Sequence, residues 1–261
     1  MTEALIIQLI ADYGIGDPAF AEVIQKLTSL DRHIRVSVTS VPSFSTVATG
    51  IWISQFSQVN AFPGLTIFAN TAPRKVFNNH PETTDGGRLL YTKLDNGTNV
   101  VSVNAGFCLS FIRKEIKTLH VVDVPNAGSQ FRSRDYYPDA VVSIANGETK
   151  YIGEKISADT IPVVPTNLIG FVDGYGNLKT TMRQSQNKFK SGAKVRITCN
   201  NITHMGIVVD ETYKVNDQDL SFAPGSTGNG DRFMEIWIRN GNAWKAFNEP
   251  KVEQEFSIET L

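Results

Sequence analysis

The chain of 261 residues predicts two successive domains. The first, over residues 1–158, is an α/β domain with a largely parallel sheet. The second, over residues 166–261, is a small all-β domain, barrel-like in character. Three observations predict this. Apolar, β-branched runs alternate with segments of helical period through residue 145, the pattern of a parallel sheet with helical cover. Ile161-Pro162-Val163-Val164-Pro165 then reads as a Pro-punctuated linker. Beyond it, strand-like runs are divided by Gly and Asn turns without helical period.

The first stretch organises the rest. Leu5-Ile6-Ile7-Gln8-Leu9-Ile10 is too short for a membrane span and reads as a buried central strand. Asp12 follows it, then the turn cluster Tyr13-Gly14-Ile15-Gly16-Asp17-Pro18. Phe20, Val23, Ile24 and Leu27 share one helical face, with Asp17 as N-cap and Pro18 at the first helical position. A carboxylate at the carboxyl end of a strand in an open α/β sheet suits a ribose diol. The plainer alternative is that Asp12 caps a loop.

Residues 34–39 alternate as a strand, and a helix follows over 45–59. Trp52 in that helix reads as core before it reads as a stacking platform. Residues 65–69 form a strand, and 70–87 a long polar loop. Strands 89–94 and 99–103 bracket Asp95-Asn96-Gly97, a hairpin turn signal. A short helix over 109–116, a strand over 119–124 and a helix over 136–145 complete the first domain. In the second, strands are expected over 168–172, 178–182, 194–199, 204–209 and 233–238.

Composition excludes several classes. A formal charge of −1 offers no basic surface for nucleic acid. No run of 18 apolar residues is present to span a bilayer, and no signal peptide is evident at the start of the sequence, so a cytoplasmic location is expected. Cys108 and Cys199 sit far apart in apolar or strand-like contexts and read as two buried thiols. The four histidines show no ligand spacing, and no metal site is expected.

Several motifs fall in a telling order: Ala11-Asp12-Tyr13-Gly14, the Phe62-Pro63-Gly64 turn and strand, Ser133-Arg134-Asp135 before a helix, Val172-Asp173-Gly174-Tyr175-Gly176-Asn177, and Glu235-Ile236 with Gly241-Asn242-Ala243. This colinear set resembles the S-adenosylmethionine (SAM) hydroxide adenosyltransferases and their relatives, the SAM-dependent chlorinases and fluorinases, with this chain a divergent member. The resemblance spans nearly the whole sequence. It implies attack of water on the ribose C5′ of SAM, giving adenosine and methionine. The sulfonium leaves readily, so orientation and a desolvated nucleophile carry the rate, and SAM is the substrate with no cofactor or metal implied. It also implies a homotrimer, with SAM between the first domain of one subunit and the second domain of its neighbour.

By this resemblance Asp12 holds the ribose hydroxyls and Asp173 meets the methionine ammonium. Asn177 reads the nucleoside side, Tyr175 stands for the family Phe, and Asn240 and Ala243 fall in the backbone segment at the adenine edges. From the residues alone, 173–177 reads equally well as a turn between two strands.

The chain also departs from the pattern. The acid of the family's water site falls on Ala72, its Arg on Asn79 with Arg74 nearby as a substitute, and its His on Arg132. The acid of a further Asp-Asn-Gly motif is lost at Asn104-Ala105-Gly106. The clamp on the methionine carboxylate becomes Gly230-Asp231, with Arg232 or Ser226 as stand-ins. Arg132 and Arg74 are the catalytic candidates, as a cationic pocket for an anionic nucleophile; the alternative for Arg132 is an ion pair with Asp135 or another surface acid. Three functions remain: SAM hydrolysis, nucleoside or SAM binding with turnover lost, and halide transfer, which needs no base.

Overall fold

The computed structural model describes residues 5–59, 61–72, 87–125, 127–211 and 214–261. The chain divides into two compact units, Met1–Val163 and Val164–Leu261.

The first unit begins with strand β1 (Ile6–Ala11), helix α1 (Pro18–Leu30), strand β2 (Arg35–Ser40), helix α2 (Thr46–Gln58) and strand β3 (Leu65–Asn70). Asp17 caps α1 by accepting from the Ala19 N–H at 2.8 Å, and Pro18 opens the helix. Ser45 caps α2 through the Ala48 N–H at 3.1 Å. Then come β4 (Leu89–Lys93), β5 (Asn99–Val103), a 3-10 turn at Ser110–Glu115 and β6 (Leu119–Val122). Helices α3 (Arg132–Asp135) and α4 (Tyr137–Ala145) lead to β7 (Ile152–Ile156).

These strands form one seven-stranded sheet in the order β2-β1-β3-β5-β4-β6-β7. The pairs β1–β2, β1–β3 and β3–β5 are parallel, whereas β4–β5, β4–β6 and β6–β7 are antiparallel. The expected largely parallel sheet is therefore corrected to a mixed one. The cause is the tight hairpin at Asp95-Asn96-Gly97, where Gly97 takes φ 87°, because a connection that short can only join antiparallel strands. The hairpin wedges β4 between β5 and β6, and β7, which the sequence did not signal, pairs antiparallel on the outside.

The second unit holds β8 (Ile169–Val172), β9 (Leu178–Arg183), β10 (Lys194–Cys199), β11 (Ile202–Val208), β12 (Leu220–Pro224), β13 (Phe233–Ile238), the one-turn helix α5 (Ala243–Ala246) and β14 (Phe256–Thr260). Its sheet also has seven strands, in the order β14-β10-β11-β12-β13-β9-β8. It is again mixed, with β11 and β12 parallel. Its two outer strands meet just before β8 and β14, where the Phe256 N–H donates to the Asn167 carbonyl at 2.8 Å, so the sheet curls into a half-barrel. The core is packed by Ile169, Leu178, Ile197, Phe222, Ile236 and Phe247. The fold class is thus two mixed seven-stranded sheets. It is not a parallel α/β domain followed by a small all-β one. Among the described residues no helix is long and apolar enough to cross a membrane.

Candidate functional site

In the first unit β2, β1, β3 and β5 run parallel, and their carboxyl ends share one edge. The chain leaves β1 for β2 on one side and then crosses to β3 on the other. The ends of β1 and β3 therefore flank a topological switch point, where a crevice opens in sheets of this kind.

Asp12 stands there, one residue past β1 and half-buried. Its Oδ2 accepts from the Phe44 N–H at 2.9 Å and the Ala72 N–H at 3.3 Å. Asp12 thus ties together the loops after β2 and β3. Phe44 reaches it with φ 65°, a conformation uncommon for a residue with a Cβ.

Tyr13 builds the floor beside it. Its hydroxyl lies 2.6 Å from the buried Ser133 Oγ and accepts from Asn70 Nδ2 at 3.1 Å. Its carbonyl accepts from Ser40 Oγ at 2.6 Å, and its ring meets Phe20 and Phe131 edge-on. Burial, with the Asp12 charge adding, pushes the Tyr13 phenol up to about 12. Further in, Thr49 Oγ1 and Thr71 Oγ1 lie 2.6 Å apart.

The Tyr13–Ser133 contact brings α3, with Arg132, against the Asp12 loop. The Arg132 guanidinium lies 5.7 Å from the centre of the Tyr137 ring. Asp135 is engaged by Arg134, whose Nε is 2.6 Å from Asp135 Oδ1 and whose Nη1 is 2.6 Å from Glu22. These contacts hold the Asp135 carboxyl below the usual range, the Arg134 hydrogen bond acting first. Ala72 is exposed at the rim, its backbone on Asp12. Arg74 and Asn79 lie outside the described residues.

The remaining candidates belong to the second unit. Asp173, Tyr175 and Asn177 form the turn between β8 and β9. Asp173 Oδ1 accepts from the N–H groups of Tyr175 and Asn177, each at 3.0 Å, and Oδ2 accepts from Asn177 Nδ2 at 3.0 Å. Tyr175 is 81% exposed. Gly176, at φ 82°, lies so close to Asn242 that a Cβ there would overlap that side chain. The Trp244 N–H donates to the Gly176 carbonyl at 2.8 Å, so the turn rests on the segment holding Asn242 and the buried Ala243. Asn240 turns outward, donating to Asp217 at 3.0 Å.

Two residues here escaped sequence reasoning as members of a cluster. Lys179, 4% exposed, and Glu235, 7% exposed, pair across β9 and β13 at 2.5 Å. Lys179 Nζ is also 3.9 Å from Asp173. In sequence, Lys179 follows the core residue Leu178 and reads as a solvent-facing position. The Ser226 N–H donates to Glu235 at 3.3 Å and Arg232 to the Gly225 carbonyl at 3.4 Å, so both stand-ins lie beside this ion pair. Asp231 is held by the Ser185 N–H and hydroxyl at 2.9 and 2.7 Å.

Cys108 and Cys199 are buried and form no disulfide. Burial pushes the Cys199 thiol up to about 11. Among the described residues no group of three or more His, Cys, Asp or Glu is placed to hold a metal ion.

No family model and no curated protein matches the chain. Solved structures do match it. An uncharacterized conserved protein from Thermotoga maritima is similar at 16% identity and TM-score 0.74, over 97% of this chain and 99% of that one. A conserved hypothetical protein from Thermus thermophilus is similar at 15% identity and TM-score 0.68, over 98% of this chain and 99% of that one. At these identities the likeness is one of fold alone.

Proposed function

We propose that the chain binds the adenosyl group of SAM at the carboxyl edge of the N-terminal sheet and displaces methionine from the ribose C5′ with water. The water oxygen bonds to C5′ and the C5′–S bond breaks. Its electron pair stays on sulfur as the thioether of methionine, and the water's proton passes to solvent. The observation that carries this reading is Asp12 at the switch point between β1 and β3, with a carboxylate suited to two ribose hydroxyls. The order of motifs along the chain supports it, and the leaving thioether needs no protonation. In this reading Arg132, and Arg74 with it, favour the hydroxide character that the water gains as its proton leaves.

Ala72 favours a second reading, in which the nucleoside is held but not turned over. Its backbone N–H lies 3.3 Å from Asp12, so its side-chain position borders the ribose site, where it carries a methyl and no base. A missing base costs about 10²–10⁴-fold in rate when the rest of a site is intact. Incubation of purified protein with SAM separates the two readings, since adenosine and methionine accumulate only in the first. Calorimetry with adenosine and with SAM tests the pocket itself, and absence of binding to either discards both readings. A homotrimer and a cytoplasmic location belong to the same proposal; the two thiols outside any disulfide support the latter. Light scattering that gives a monomer removes the trimer.

A further inference from the structure

We propose that the first unit carries a separate binding site for an apolar α-amino acid, in the cleft bordered by Arg88, Asp123, Tyr137 and Glu154. The cleft has a volume of about 410 Å³, within the roughly 300–1,000 Å³ range of small-molecule sites. Its apolar wall is Leu89, Val121, Val122 and Val124, from the start of β4 and the end of β6.

Two polar groups in this cleft point to its ligand. Tyr137 is 1% exposed, its ring fixed edge-on against Phe68 at 6.4 Å, yet its hydroxyl has no hydrogen-bond partner among the described residues. Burial raises the phenol above its ordinary value, so it remains a proton donor near neutral pH. The hydroxyl therefore opens on the cleft, where a ligand acceptor can reach it. Asp123 is exposed at the mouth of the same cleft. Its carboxylate makes no hydrogen bond or ion pair among the described residues, and it packs over Gly153, where a Cβ would overlap Oδ1. A side chain at that position of β7 would make the carboxylate shift.

The groups that line the cleft define the ligand. Tyr137 offers a donor, Asp123 offers a carboxylate to a cation, and the valine wall offers an apolar surface. Arg88, held by Glu154 at 2.8 Å with both groups over half exposed, stands at the rim as a second cation for the same acceptor. An α-amino acid with a branched or linear aliphatic side chain meets every requirement. Its carboxylate faces Tyr137 and Arg88, its ammonium faces Asp123, and its side chain lies on Leu89 and the valines.

This site shares no residue with the nucleoside reading, although Arg132 lies against the Tyr137 ring, and the two succeed or fail on separate titrations with different ligands. The test is calorimetry of the full chain with L-leucine, leucinamide and 4-methylpentanoate. L-leucine is expected to bind, with leucinamide and 4-methylpentanoate at least tenfold weaker. Tyr137→Phe keeps the ring and removes only the hydroxyl, and is expected to weaken L-leucine by about 3–10-fold. Asp123→Asn, at an exposed position, is expected to weaken it by about tenfold or more. No heat with L-leucine at millimolar concentration overturns the proposal. So does L-leucine binding that both variants leave unchanged, or leucinamide and 4-methylpentanoate binding as tightly as L-leucine.

Discussion

Asp12 and Asp173 are both carboxylates in loops, and both accept backbone N–H groups, but their partners come from different distances along the chain. Every partner of Asp173 lies within six residues: Tyr175, Asn177 and Lys179. The Asp12 carboxylate accepts from Phe44 and Ala72, 32 and 60 positions away. A turn that closes on itself forms whenever its own residues fold, and it reports on that hairpin alone. A carboxylate that joins two distant loops at a switch point sets the width of the crevice between them. The contrast teaches that Asp173 is first a device of the fold, whereas in the proposed function a ligand and the loops compete for the oxygens of Asp12.

The largest effect expected from this contrast is in the second unit. Lys179→Met removes the cation from a buried pair and leaves Glu235 without compensation. Urea denaturation should show a loss of about 3–5 kcal/mol, the usual cost of breaking such a pair from one side. Lys179→Met combined with Glu235→Leu should recover most of it, because no buried charge then remains. A single variant that costs under about 1 kcal/mol would mean that the pair is solvated and Asp173 is less tightly set than its contacts imply.

Next in size is the ligand test of Asp12. Asp12→Ala should weaken adenosine by about 1.5–3 kcal/mol, the scale of hydrogen bonds to a charged group. Asp173→Ala should lower unfolding stability while moving adenosine affinity by less than about threefold, under 0.7 kcal/mol. Equal losses of affinity in the two variants would erase the distinction between them.

How much of this contrast was legible beforehand follows the same division between near and far. The β1–loop–α1 unit, the Asp17 cap and the hairpin at Asp95-Asn96-Gly97 depend on neighbours in sequence, and the pattern of residues displays them. The turn at residues 173–177 was readable as a turn for the same reason. What escaped is non-local. β7 has apolar side chains only at its ends, and β12 finishes in Pro224, so neither shows a strand's alternation clearly. The wedging of β4 between β5 and β6 depends on pairing across the sheet, and it turned the expected parallel sheet into a mixed one. Tyr13 and Ser133 meet across 120 positions, and Lys179 and Glu235 across 56. No local period records such contacts.

A smaller effect sharpens the Asp12 side of the comparison. The Tyr13 phenol is raised from 10.0 to about 12, chiefly by burial, so the folded chain favours its neutral form. Its stabilising contribution is complete below pH 10 and is lost as pH rises toward 12. Across that window the parent protein should lose roughly 1–2 kcal/mol more than Tyr13→Phe in denaturant melts. The variant comparison is required because burial also raises Tyr91 and Tyr137. Parallel pH profiles would mean that the floor beside Asp12 admits water freely.

The smallest expected effect bears on the other carboxylate. A carboxylate offers about four acceptor positions, and three of those on Asp173 are occupied. Oδ1 takes two backbone N–H groups, and Oδ2 takes the Asn177 amide and faces Lys179 at 3.9 Å. An ammonium arriving at the remaining position would meet the like charge of Lys179, which Glu235 holds in place at 2.5 Å. The methionine tail of SAM should therefore add little at this carboxylate. SAM and adenosine are expected to bind within about threefold of each other, under 0.7 kcal/mol. A tenfold or greater preference for SAM would mean that Lys179 yields Asp173 to the ammonium, and the turn would then be as much a part of the site as the tip of β1.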